Sequence, residues 1–189
     1  PGATGRALVR LEQAGVTDGL SVATRKPEWL RPKVQLSEAV LAMKRTVADH
    51  RLVTVCEEAG CPNLSECWSS GTATFMVLGE RCTRACGFCL VDTRKPIPPD
   101  PDEPARVAAA IASASVQHAV LTMVARDDLA DGGFAHVAAC VLAIRERCPS
   151  TSVEVLVSDA RGDAASLQLV FDVRPDVFNH NVETVARLQ

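Results

Sequence analysis

Apolar positions along the chain fall into two alternating periods. Val40, Met43 and Val47 recur at spacings of three and four, which predicts a helix with Ser37 as its N-cap. Residues 73–78 (A-T-F-M-V-L) form a short apolar run rich in strand formers, closed by Gly79. From residue 104 the two patterns take turns. A helix is predicted over 104–115, with Pro104 in its first turn and Val107, Ile111 and Ala114 as its stripe. A strand follows at 119–124, then a helix at 133–147 carrying Phe134, Val137, Val141 and Ile144. The series closes with a strand at 153–157, a helix at 164–172 and a strand at 176–179. Four strands alternating with helices of this length predict parallel βαβ units, hence an α/β fold. An eight-stranded barrel needs about 250 residues. The expected architecture is therefore a partial (β/α) barrel over 73–189, preceded by a cysteine-rich N-terminal extension over 1–72.

The remaining segments read as irregular. Residues 1–35 are polar after one short helical pattern at 7–12, and Pro27 and Pro32 around Trp29 predict an extended arm at 25–33. Residues 51–72 and 82–89 are expected as cysteine-bearing loops, and 95–102 as a proline-rich connector. Residues 181–189 read as a helix begun and not finished, so the chain is expected to be incomplete.

Composition narrows the class. Of 189 residues, 47% are hydrophobic and 23% charged, which is ordinary globular usage. With no Tyr, five Phe and two Trp, rows of base-stacking aromatics are excluded, and a net charge of −3 leaves no overall electrostatic footprint for nucleic acid. The charge is uneven: residues 1–51 carry nine Lys and Arg against five acids, net +4, leaving −7 for the rest. No segment approaches the ~18 consecutive apolar residues of a membrane span, and no apolar signal region opens the chain. A cytoplasmic location is expected.

Eight cysteines are the abnormal count, and six lie between positions 56 and 89. Cys56, Cys61 and Cys67 form a C-x4-C-x5-C triplet; Cys82, Cys86 and Cys89 form C-x3-C-x2-C. A disulfide scaffold suits a small secreted protein better than an α/β core. Structural zinc prefers paired ligands, although His50 or His118 could complete a set. An electron-transfer cluster wants four thiolates, and each triplet is one short. Three thiolates on a four-iron cluster would leave one iron open to a substrate or cofactor. The second triplet follows a predicted strand, so in a parallel barrel it lies at the C-terminal mouth, with Phe88 placed to shield it. Cys140 reads as a buried small hydrophobe, and Cys148 is given no role.

The C-x3-C-x2-C spacing with an aromatic before the last Cys resembles the radical S-adenosylmethionine signature. The run from Val55 to Asn63 with Cys67, then Gly71 to Met76, then Cys82 to Cys89 with Asp92-Thr93, is similar to the lipoyl synthase family. So are Arg25-Lys26-Pro27 with Trp29, Arg126-Asp127-Asp128-Leu129 with Asp131-Gly132-Gly133, and Asn179-His180-Asn181. The likeness runs from about residue 25 to the end, and the first triplet beside the second is its specific mark.

The resemblance implies a sulfurtransferase that inserts two sulfur atoms into a protein-bound octanoyl group. Cys82, Cys86 and Cys89 would hold a 4Fe–4S cluster that binds and cleaves S-adenosylmethionine, giving a 5′-deoxyadenosyl radical. Cys56, Cys61 and Cys67 would hold a second 4Fe–4S cluster, the sulfur donor. Octanoylated lipoyl-carrier domains and an electron donor are the implied partners, with no membrane or nucleic acid. Arg126, Asp127 and Asp128, after the second predicted strand, and Asn179 and Asn181, after the fourth, read as cofactor contacts; for the Arg126 segment the alternative is a solvated turn. Met123, Ala125 and Ser158-Asp159-Ala160 depart from the family's usual residues, and its C-terminal Arg-Ser-Ser-Tyr motif does not occur. The chain by itself is therefore expected to be a poor or inactive catalyst. Two other functions stay open: another radical S-adenosylmethionine enzyme with an auxiliary cluster, and a non-catalytic iron–sulfur or zinc module.

Overall fold

The computed structural model describes residues 37–58, 61–86, 89, 91–183 and 185–188. The arm at 25–33, the helical pattern at 7–12 and Phe88 lie outside the described residues. The chain runs α1 (Glu38–Asp49), β1 (Val53–Thr54), α2 (Val55–Glu58), α3 (Leu64–Ser69), β2 (Thr72–Val77), α4 (Glu103–Ser113), β3 (His118–Met123), α5 (Phe134–Arg147), β4 (Ser152–Leu156), α6 (Ala164–Asp172) and β5 (Val177–Asn179). Single 3-10 turns lie at Ala160–Gly162 and Ala186–Leu188.

The strands form one open sheet in the order β1-β2-β3-β4-β5. β2 to β5 pair in parallel, as the alternating pattern predicts. A fifth strand, β1, adds antiparallel to β2 through Val53↔Met76 and Thr54↔Phe75. It is two residues long, below the length at which alternation shows in a sequence. For the same reason the expected loop at 51–72 contains the short helices α2 and α3, which bury Cys56 and Trp68. At the other end, the start of a helix expected at 181–189 is one 3-10 turn among the described residues.

Local chemistry explains the long elements. Ser37 Oγ accepts from Val40 N–H at the start of α1, and Asp163 accepts from Ser166 N–H at the start of α6. Pro104 sits in the first turn of α4, where its missing N–H costs nothing. Paired residues share a face, so Phe75, Val77, Leu121, Val153 and Val155 turn together into the core with Val107, Ile111, Phe134, Val137, Val141 and Ile144 of the helices. Cys140 is fully buried among them, and burial pushes its thiol well above its usual range. On the opposite face Thr74, Val120, Thr122, Glu154, Leu156 and Asn179 are half-exposed.

Gly133 shows how tightly β2 meets α5. Its φ is +89°, and a Cβ there would lie 2.5 Å from Cδ1 of the buried Leu78. At Gly132 (φ +64°) the nearest atom would be 3.6 Å away. Gly133→Ala is expected to cost about 2–3 kcal/mol in a urea titration, against about 1 for Gly132→Ala. Equal losses would show that the Leu78 contact relaxes freely.

Candidate functional site

β2 ends in a corner. Leu78 has φ +70°, unusual for a residue with a Cβ, and Gly79 follows at φ +86°. Side chains from two other elements take both backbone groups of Leu78. Its N–H donates to Glu103 Oε2 at 2.9 Å, and its carbonyl accepts from Arg126 Nη1 at 3.0 Å. Glu103 Oε2 also meets His136 Nε2 at 2.7 Å. The chain then makes its cysteine-bearing excursion and returns at Ile97, whose carbonyl accepts from Arg126 Nη2 at 3.0 Å. One guanidinium thus joins the exit and the return of the segment 78–97. It is 1% exposed, and Asp128 neutralises it through two bonds of 2.9 Å.

Inside that frame a second closure forms. Arg81 and Asp92 make a parallel bridge, Cys82 N–H donates to Asp92 O at 2.8 Å, and Arg81 Nη1 donates to Lys95 O at 3.1 Å. Cys82, Cys86 and Cys89 therefore share one closed loop, in which Cys89 N–H donates to Cys86 O at 3.1 Å.

Arg84, between the first two of these cysteines, fastens the loop to the sheet. Its Nε and Nη2 donate to the two oxygens of Asp127 at 2.8 Å each. Its Nη1 and Nη2 donate to those of Asp159 at 3.0 and 2.7 Å. Thr83 N–H donates to Ala125 O, while its hydroxyl accepts from Asp127 N–H at 3.0 Å. Asp127 follows β3 and Asp159 follows β4, so the loop bridges two strand ends at the mouth of the sheet. The guanidinium holds both carboxyls below the usual carboxylate range, Asp159 at about 2. The two carboxylates in turn raise Arg84, Asp127 most strongly.

The first triplet lies elsewhere. β1 runs antiparallel to β2, so the chain leaves it toward the N-terminal end of β2, and α3 ends just before that strand begins. Cys61 N–H donates to Cys56 O at 3.0 Å. Burial raises the Cys67 thiol, and Cys56 and Cys61 raise it further.

All eight cysteines are free thiols, so no disulfide is formed. Among the described residues no three His, Cys, Asp or Glu side chains stand together at metal-binding distance. The triplet Cys82, Cys86 and Cys89 nevertheless offers, within one closed loop, the three soft sulfurs that an iron–sulfur cluster takes. His118, a candidate zinc ligand, is instead paired with Glu154 on the sheet at 2.9 Å.

Residues 76–188, 113 of the 189, match the family described as the Radical SAM superfamily. The chain belongs to that superfamily. Membership implies a 4Fe–4S cluster and S-adenosylmethionine. The matched span contains Cys82, Cys86 and Cys89 and leaves the first triplet outside. Among the described residues no helix of this radical SAM chain is long and apolar enough to cross a membrane.

Arg126, Asp127 and Asp128 are expected from the sequence on the cofactor, and the structure engages each of them inside the protein: Arg126 with Asp128, Asp127 with Arg84. Asn179 closes β5 and donates to Glu154, while Asn181 stands exposed beyond it. The sequence pattern assigns no role to Arg84, Asp159 or Glu154. One signal does point to the acids: in a parallel sheet every strand ends at the same edge, so carboxylates just after β3 and β4 face one another.

Because Asp127 and Asp159 titrate lower when folded than an unfolded Asp near 3.9, the clamp stabilises above about pH 4 and loses that contribution as pH falls toward 2. All three side chains are about a third exposed or more, so the effect is at most about 1 kcal/mol. Urea midpoints from pH 5 to 2 should fall more steeply for the wild type than for Arg84→Met. Parallel curves would show that the carboxylates draw nothing from Arg84.

Proposed function

We propose that this chain is a radical S-adenosylmethionine sulfurtransferase of the lipoyl synthase type, built on a partial (β/α) barrel. The observation that carries the reading is the second set of thiols. Cys56, Cys61 and Cys67 lie on the segment of α2 and α3 toward one end of β2, while the signature triplet lies beyond its other end. An enzyme that inserts sulfur needs a donor apart from the radical centre, and a second set of thiols is suited to hold one.

In this reading Cys82, Cys86 and Cys89 hold the radical cluster and Cys56, Cys61 and Cys67 the auxiliary one. When bound, the first cluster supplies the electron that cleaves S-adenosylmethionine and the second supplies sulfur. The chain's own residues position and recognise. Arg126 with Asp128 closes the base of the cysteine segment, and Arg84 with Asp127 and Asp159 seats its loop on the strand ends. Asn179 and Asn181 at the end of β5 face the cofactor, with Phe88 beside Cys89 as its shield. The substrate is an octanoyl chain on a lysine of a carrier domain, met in the cytoplasm together with an electron donor.

Anaerobic reconstitution tests this directly. The wild type should take up about eight irons per chain and Cys56→Ala/Cys61→Ala/Cys67→Ala about four. Cleavage of S-adenosylmethionine should persist in that variant, vanish in Cys82→Ala, and quicken in the wild type when an octanoyl-lysine peptide is added. Four irons in the wild type, or indifference to octanoyl peptide, would point to another radical enzyme. One or two zincs and no iron would leave a non-catalytic module.

A further inference from the structure

The face of the sheet away from the helices carries a chain of three polar side chains on three successive strands. His118 opens β3, Glu154 sits mid-way along β4 and Asn179 closes β5. The register pairs His118 with Ser152, Glu154 with Val177, and Leu156 with Asn179, so all three project from one side. His118 Nε2 meets Glu154 Oε2 at 2.9 Å, and Asn179 Nδ2 donates to Glu154 Oε1.

A carboxylate only accepts hydrogen bonds. Glu154 therefore dictates which edge of the Asn179 amide it receives: the NH2 must face Glu154 and the carbonyl oxygen must face away. Its other oxygen is tied to His118, so the carboxylate cannot swing to follow the amide. Asn179 Oδ1 has no partner among the described residues. It stands at the strand end, beside the loop after β4 that seats Arg84, where His180 Nδ1 lies 2.9 Å from Val157 O.

We infer that Glu154, braced by His118, is a positioning residue that holds Asn179 with its carbonyl oxygen free to accept a hydrogen bond from a hydroxyl or ammonium of bound S-adenosylmethionine. This deepens the radical S-adenosylmethionine reading and rests on it.

Reversing the pair tests the inference. In Asn179→Asp two carboxylates face each other, and their repulsion swings the outward oxygen out of place. Adding Glu154→Gln lets the glutamine NH2 donate to the carboxylate now at position 179, which brings its outward oxygen back into place. In anaerobic titration calorimetry of cluster-loaded chain with S-adenosylmethionine, Asn179→Asp should weaken binding about tenfold. The double variant should recover to within about threefold of wild type. Glu154→Gln alone, which frees the amide to present either edge, should bind about three- to fivefold more weakly. Unfolding midpoints are measured in parallel. Single variants that lose stability while binding stays within about twofold of wild type would overturn the inference, as would a double variant no better than Asn179→Asp. A wild type that binds no S-adenosylmethionine would overturn the radical reading together with it.

Discussion

A guanidinium withdrawn from water is costly unless every charge and most donors find partners. Arg126 meets that condition by joining three parts of the chain. It takes the carbonyl where β2 ends, the carbonyl where the cysteine segment returns and a carboxylate on its own loop. An excursion of about twenty residues, free at its base, could place its cysteines over a wide volume. Stapled at both ends, it keeps them at one edge of the sheet. The positive φ of Leu78 belongs to the same device, because the corner persists where Glu103 and Arg126 satisfy both of its backbone groups.

Arg84 does a related task closer to solvent. Single exposed ion pairs contribute little, since water screens them and long side chains resist being fixed. Here one planar fork is shared by two carboxylates from different loops, and Thr83 ties one of those loops again through the backbone. Its main consequence is geometric, because the loop between Cys82 and Cys86 cannot shift without breaking contacts to the ends of both β3 and β4. The two arginines thus divide the work, one setting where the segment starts and stops, the other where its tip rests.

Much of the fold could be read from the residues. α1, α4, α5, α6 and the four parallel strands fall within one or two positions of where apolar spacing puts them, because each element is long enough for its period to repeat. β1, α2 and α3 could not be read that way: segments of two, four and six residues carry no period, and burial against β2 shapes them. The buried thiol of Cys140 was legible from its neighbours on the α5 stripe, Val137, Val141 and Ile144.

The candidate site divides the same way. Both cysteine triplets were visible because their identity and spacing are read directly from the chain, whatever the rest of it does. The partners that seat them were not. Arg84 finds Asp127 and Asp159 at separations of 43 and 75 residues, and Glu154 meets His118 across 36. The chain's own pattern thus determined which residues could ligate a cluster and which segments would be strand or helix. Only the tertiary structure decided that Arg126 turns inward, that Arg84 has two carboxylates to grip and which edge of Asn179 is left open. Those outcomes depend on parallel crossovers carrying distant strand ends to one edge, and no local spacing encodes that meeting.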